Sequence, residues 1–395
     1  MATSCRDIRG VSILVTSALA ALFAFACDRG RDGAPVHAPT LASTRPPFVP
    51  PPIDHVFLIV LENTGFDSTF GPRTGATYLA DTMVRNGAKL TQYYAIGHSS
   101  LDNYIAMVSG IAPDHETQNS CVRYDQFVQT GTAPDGQPIG RGCVYPASVL
   151  TIANQLEARH LTWKGYMEDM GKDPAREAAR CAHPALGSID STQRAQSGDQ
   201  YTTRHNPFVY FHAITDFATC QANVVPLTRL AADLGVEDST PNFAFIVPNL
   251  CHDAHDPDRP YQTQCADSEP GGLVSANQFL SRWVPSIIRA RAFHNGLLIV
   301  TFDEAEDADV SACCDEPSGP NTAQPGRAGP GGGRVGAVLL SRFIKPGTVS
   351  NVPYNHYALL RSVEDIFSLS HLGYAGRPGL ASFGRDVYTA ATPSR

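Results

Sequence analysis

His55-Val56-Phe57-Leu58-Ile59-Val60-Leu61-Glu62-Asn63 is a near-continuous apolar run that breaks abruptly into an acid and an amide. An unbroken apolar stretch of this length marks a strand covered on both faces, as in a parallel sheet sandwiched by helices. Similar runs recur at 243–247, 297–302 and 335–340. Helical patterns lie between them at 78–86, 101–109, 148–159, 274–290 and 357–369. Strands alternating with helices predict an α/β/α sandwich around a mostly parallel central sheet. In such sheets ligands bind beyond the carboxyl ends of the strands. There the sequence places Glu62-Asn63, Asn249 with the cluster His252-Asp253-Ala254-His255-Asp256, and Asp303-Glu304. Three buried strands delivering acids and amides to one edge predict a site for a divalent cation.

The chain has 395 residues, 43% of them hydrophobic, and a formal net charge of −8. Its length suits one large α/β domain, here 53–390, once the ends are set aside. The acidic balance argues against nucleic acid as a partner, because such binding rests on Lys and Arg meeting phosphates. It does not exclude a phosphate ester, since bound metal reverses the local field. Residues 1–26 read as an export signal: Arg6 and Arg9, an apolar run from Val11, then the small residues Ala24 and Ala26. Cleavage there predicts a secreted or periplasmic protein, or one anchored to a membrane through a lipidated Cys27. Residues 27–52 form a Pro-rich tether.

Beyond Cys27 stand eight cysteines, an even number that fits disulfides in an oxidising compartment. Cys121–Cys143 and Cys251–Cys265 are the expected local pairs. Cys313 and Cys314 are expected to bond to different partners, since adjacent residues make a strained bridge. Residues 305–334, rich in Gly and Pro, predict a disulfide-tied loop beside the site.

Gly97-His98-Ser99-Ser100-Leu101-Asp102-Asn103-Tyr104 precedes an amphipathic pattern, so its serines start a helix. That position offers unpaired N–H groups and the positive end of the helix dipole to an anion. A serine hydroxyl there is a candidate nucleophile if metal coordination activates it. His205, in Arg204-His205-Asn206-Pro207-Phe208, is a candidate to protonate a leaving alcohol, and His356 precedes a helix facing the sheet edge. Together these residue types describe attack of a serine on phosphorus, followed by hydrolysis of the phosphoserine. No GK[ST] follows a Gly-rich loop and no GxSxG surrounds a serine, so a P-loop NTPase is not supported and the pattern argues against an α/β-hydrolase.

These segments resemble a known family. Glu62-Asn63-Thr64-Gly65-Phe66 is similar to the ENxxF motif, and His98-Ser99-Ser100-Leu101-Asp102-Asn103-Tyr104 to the HPSLPNY segment, of the bacterial phosphoesterase family. That family comprises acid phosphatases and phospholipases C of the alkaline phosphatase superfamily. The blocks at 204–208, 249–256, 301–304 and 354–357 follow in the family's order. The resemblance implies an alkaline phosphatase-like fold, divalent metal and a phosphate-ester substrate. It implies Ser100 as nucleophile with His205 catalytic. Glu62, Asn63, Asp303 and Glu304 are implied as metal ligands, joined by Asp253, His255 and His356. Asn103, Asn206 and Asn249 are implied as phosphate or substrate contacts. Ser99 and Asp102 replace the two prolines of the serine motif, so Ser99 is a rival nucleophile. Gly65 replaces a serine of the phospholipase branch, favouring a phosphomonoesterase over a phosphodiesterase. Glu304 stands where the superfamily often has His, so two zinc ions are not implied. A surface binding lipoprotein on the same fold is the non-enzymatic alternative.

Overall fold

A computed structural model describes residues 48–255 and 265–390. The export signal, Cys27, most of the tether and Asp256 lie outside the described residues.

The run that opens at His55 is strand β1 (His55–Leu61), and it is the middle of the architecture. From Val56 to Leu61 no side chain reaches solvent. Chain order continues with β2 (Ala88–Leu90), β3 (Trp163–Met167), β4 (Val224–Pro226) and β5 (Phe243–Val247). It ends with β6 (Gly296–Phe302), β7 (Ala337–Leu340) and β8 (Thr348–Ser350). These eight form one sheet in the order β8-β2-β7-β6-β1-β5-β3-β4. All neighbours are parallel except the two pairs made by β7, which runs against β6 and β2. The mostly parallel α/β sheet is therefore as expected, with one reversed strand where another parallel run was read.

Helices α1 (Ser100–Ser109) and α4 (His356–Ile366) pack together in one layer, with α2 (Ile152–Ala158) against α1. Helix α3 (Gly272–Arg289) packs against the helical turns at Tyr78–Met83 and Thr228–Leu234. Helix α1 begins after Ser99, whose backbone is extended. It stops at Gly110, whose φ of +68° only glycine adopts freely. The predicted helix from 148 starts only at Ile152, where Thr151 and Asn154 form a capping box.

Register carries the apolar pattern to the edge. Leu61 pairs with Phe302 and Ile59 with Ile246. The residues that follow, Glu62 and Asp303, therefore emerge side by side at the carboxyl edge. Disulfides Cys121–Cys143 and Cys251–Cys265 are present, and Cys181 bonds Cys220. Cys313 and Cys314 bond each other, which corrects the expectation of separate partners. With the other six described cysteines paired among themselves, a left-handed turn at Cys314 (φ +68°) brings the two neighbouring sulfurs together. Among the described residues no helix is long and apolar enough to cross a membrane.

Candidate active site

Three strand ends build the floor. The Glu62 N–H donates to Asp253 O at 2.7 Å, and the Asp303 N–H donates to Leu61 O at 2.8 Å. Asn63 turns the chain with φ +42° and donates its N–H to Asp303 Oδ1 at 3.0 Å. The Glu304 N–H donates to the same oxygen at 2.6 Å. Two amides thus fix one oxygen of Asp303, while Oδ2 is buried without a hydrogen-bond partner among the described residues.

Ser100, the first residue of α1, donates its Oγ–H to Glu62 Oε2 at 2.7 Å. Glu62 Oε1 lies 3.2 Å from His205 Nε2, and His205 Nδ1 lies 3.8 Å from Asp253 Oδ2. One ligand atom from each of Glu62, His205 and Asp253 falls within 4.8 Å of the others. Tyr104, one turn along α1 from Ser100, stacks flat on the His205 ring, with centroids 5.3 Å apart and planes 6° apart. Neither His205 nitrogen makes a hydrogen bond among the described residues.

Burial sets the electrostatics. Desolvation pushes Glu62 up to about 7, against the Ser100 hydrogen bond and the Arg204 charge. Asp303 and Glu304 are raised well above the carboxylate range, first by burial and then by the charge of Glu62. His205 is driven well below its usual value by burial, with Arg204 and His255 adding to the effect. Its ring is therefore neutral at pH 7, the form that ligates metal rather than the form that donates a proton. Buried acids pressed together, with orphaned oxygens and a neutral imidazole between two carboxylates, fit a hard or borderline divalent cation.

Above the floor opens a cavity of about 240 Å³ lined by Ser100, Asn63, Arg204, His255, Glu304 and Arg327, among others. The rest of the predicted set does not line this cavity, although Asn103 reaches Glu304 Oε2 at 3.4 Å. Asn103 clamps the loop before the nucleophile: its Oδ1 accepts from Ile96 and Gly97 N–H, and its Nδ2 donates to Gly97 O and Ser99 O. His356 has both nitrogens engaged, with Asp303 O at 2.6 Å and Tyr93 Oη at 3.0 Å. It props the Asp303 turn from behind. Asn206 is buried and donates to Tyr201 Oη, and Asn249 caps its own turn and bonds Asp169. His252, between Glu168 and Glu269, belongs to that neighbouring network.

Arg204, Arg327 and Asp307 line the cavity without having been singled out in the sequence. Arg204 directly precedes His205 in a quoted motif, so proximity was its signal. Arg327 and Asp307 lie in the Gly-rich loop, where no periodicity marks a position.

A phosphate-repressible acid phosphatase of Penicillium chrysogenum is 26% identical over 324 residues, covering 81% of this chain and 60% of its own. The chain thus spans about 60% of the length of that relative. A phosphatidylinositol-3-phosphatase of Mycobacterium tuberculosis is 23% identical over 325 residues, covering 82% of this chain and 80% of its own. With fungal and bacterial relatives alike, the restriction to a bacterial family is not upheld. Among solved structures, an alkaline phosphatase superfamily protein from Vibrio parahaemolyticus aligns with a TM-score of 0.44 at 14% identity, covering 85% of this chain and 72% of its own. Residues 72–370, well over half of the chain, match the model of the Phosphoesterase family, and the chain belongs to that family.

Proposed function

We propose that this protein is a metal-dependent phosphomonoesterase whose nucleophile is Ser100. The observation that carries this reading is the Ser100 hydroxyl, held 2.7 Å from Glu62 at a helix start and open to a cavity above buried acids. Glu62, His205 and Asp253 would hold a divalent cation, with Asp303 and Asn63 adding oxygen donors; the cation would lower the pKa of the serine hydroxyl and screen phosphate charge. In this reading His205 is a ligand and not the leaving-group acid, because burial keeps its ring neutral. His356 is a positioning residue, because both its nitrogens are engaged.

The chemistry then belongs to the chain's own groups. The phosphoryl oxygens face the N-terminal amides of α1 and the Arg204 guanidinium. Ser100 gives up its hydroxyl proton to solvent, Oγ forms a bond to phosphorus as the bond to the leaving oxygen breaks, and that oxygen takes up a proton from water. Water then attacks the phosphoserine and passes its proton to solvent, the P–Oγ bond breaks, and Ser100 Oγ takes up a proton from water and again donates to Glu62. Phosphatases among the relatives support the monoester over the diester reading. Chelation should abolish hydrolysis of a monoester chromogen, and added Mg²⁺, Mn²⁺, Ca²⁺, Fe or Zn²⁺ should restore it. Full activity in protein shown metal-free by elemental analysis sinks the metal reading. Faster hydrolysis of a matched diester makes the enzyme a phosphodiesterase.

Export is part of the proposal. The basic start, the apolar run and the three long-range disulfides support it. Mass spectrometry of protein recovered from its native host should show the first 26 residues removed, and a lipid on Cys27 if it is anchored. An intact leader overturns the reading.

A further inference from the structure

Beside the cavity that holds Ser100 lies a second, of about 310 Å³, lined by His98, Asp307, Arg327 and Ala328. Its first three lining residues also line the Ser100 cavity, so the two adjoin across a shared wall. Arg204 already stands in the first cavity, close enough to the floor to influence Glu62. Arg327 stands at the junction. Its guanidinium is exposed, and its charge reaches the buried Asp102 carboxyl.

An exposed arginine is commonplace, but the backbone under this one is pinned. Gln118 Nε2 donates to Pro325 O at 2.7 Å and to Gln324 O at 3.1 Å. The turn that follows folds closely on itself: a Cβ on Gly326 would come within 2.5 Å of Gly329 O and 2.7 Å of Gly331 O. The loop is also tied to His98, whose Nε2 lies 2.9 Å from Asp309 O. A fixed turn thus presents a solvent-open cation on the wall of the cavity that holds the nucleophile. In-line attack puts the leaving oxygen on the side of phosphorus opposite Ser100 Oγ, and the adjoining cavity offers room for the alcohol it carries.

We propose that the second cavity receives the leaving alcohol and that Arg327 selects esters whose alcohol carries a second anionic group. This rests on the phosphomonoesterase reading above. The guanidinium pairs with that second anion, and Asp307, on the same wall, opposes it. Arg327 is thus a specificity-determining residue.

The test is a matched pair, 4-carboxyphenyl phosphate and phenyl phosphate, which differ by one remote carboxylate. A solvent-open ion pair of this kind is worth a factor of about 1.4 to 5. The wild-type enzyme at low ionic strength should therefore show a KM lower by about that factor for the carboxylated ester, with kcat similar, and the preference should fade with added salt. Arg327→Gln should remove the preference, Arg327→Lys should restore part of it, and Asp307→Asn should enlarge it. Equal losses on both esters, or a wild type without preference, overturn the proposal. Failure to hydrolyse either ester with any metal would instead count against the phosphoesterase reading. The same comparison is then made by thermal protection of the wild type and Arg327→Gln with each ester. Equal protection of both proteins by the carboxylated ester overturns the proposal there too.

Discussion

Two serines stand side by side at the start of α1, and their hydroxyls have different neighbours. Ser99 Oγ donates to Thr117 O at 3.0 Å and lies 2.8 Å from Ser120 Oγ, whereas Ser100 Oγ meets Glu62. Thr64, a third hydroxyl near the floor, donates back to Glu62 O. Ser100→Ala should lower kcat by about a thousandfold or more, since the covalent route is lost. Ser99→Ala should keep most activity and lose about 1 kcal/mol of stability, the worth of one ordinary hydrogen bond. Trapping the phosphoenzyme in acid and mapping the labelled peptide reads this directly; phosphate on Ser99 or Thr64 would show the assignment wrong. At this scale the sequence was informative wherever a buried strand ended. Glu62 and Asp303 could be placed because a strand's apolar run stops at a defined residue. Arg327 could not, because its position depends on a distant glutamine gripping a loop.

Among the elements, α4 carries an ionisable group far from any chemistry. Glu364 is buried, its Oε1 accepting the Leu372 N–H at 2.8 Å and closing the turn after the helix. Burial pushes this carboxyl from 4.5 up to about 9, with the Leu372 amide opposing and Asp365 adding to the rise. The folded state therefore holds a proton that the unfolded chain releases above its ordinary value. The stability tied to that proton is fully present below about 4.5 and is lost as pH rises toward about 9. Glu364→Gln keeps the acceptor and removes the charge. It should raise the Tm at pH 8 relative to wild type and change it little at pH 4. A difference independent of pH would show that the carboxyl is not carrying the proton. The long elements around it were legible: β1, β5, β6 and α3 have runs or periods long enough to read. The three-residue strands β2, β4 and β8 are too short to show any period, and β3 is broken by Lys164 and Gly165. Their pairing comes from the sheet that receives them.

For the molecule as a whole, a cation that binds only the folded site adds stability. At about a hundred times its Kd the gain is about 2.7 kcal/mol. The wild-type Tm should therefore fall on chelation and recover with metal, and Glu62→Gln should lose most of that shift. An equal metal shift in the variant would remove Glu62 from the ligand set. The cysteines set a different global constraint. Cys121–Cys143 and Cys181–Cys220 close loops with separations of 22 and 39 residues, but Cys313–Cys314 closes none. Breaking the first two frees chain entropy on unfolding, while breaking the last frees almost none. The consequence reaches peptide mapping of unreduced protein. Trypsin cuts after Arg123 and Arg194, so Cys121–Cys143 and Cys181–Cys220 each hold two fragments together. Cys313 and Cys314 share the single fragment 292–327, with no cleavable bond between them. Their bridge joins nothing to anything else. It registers only as a fragment lighter by two hydrogens that resists alkylation until it is reduced, and a map drawn from cross-linked fragments alone would count both cysteines as free.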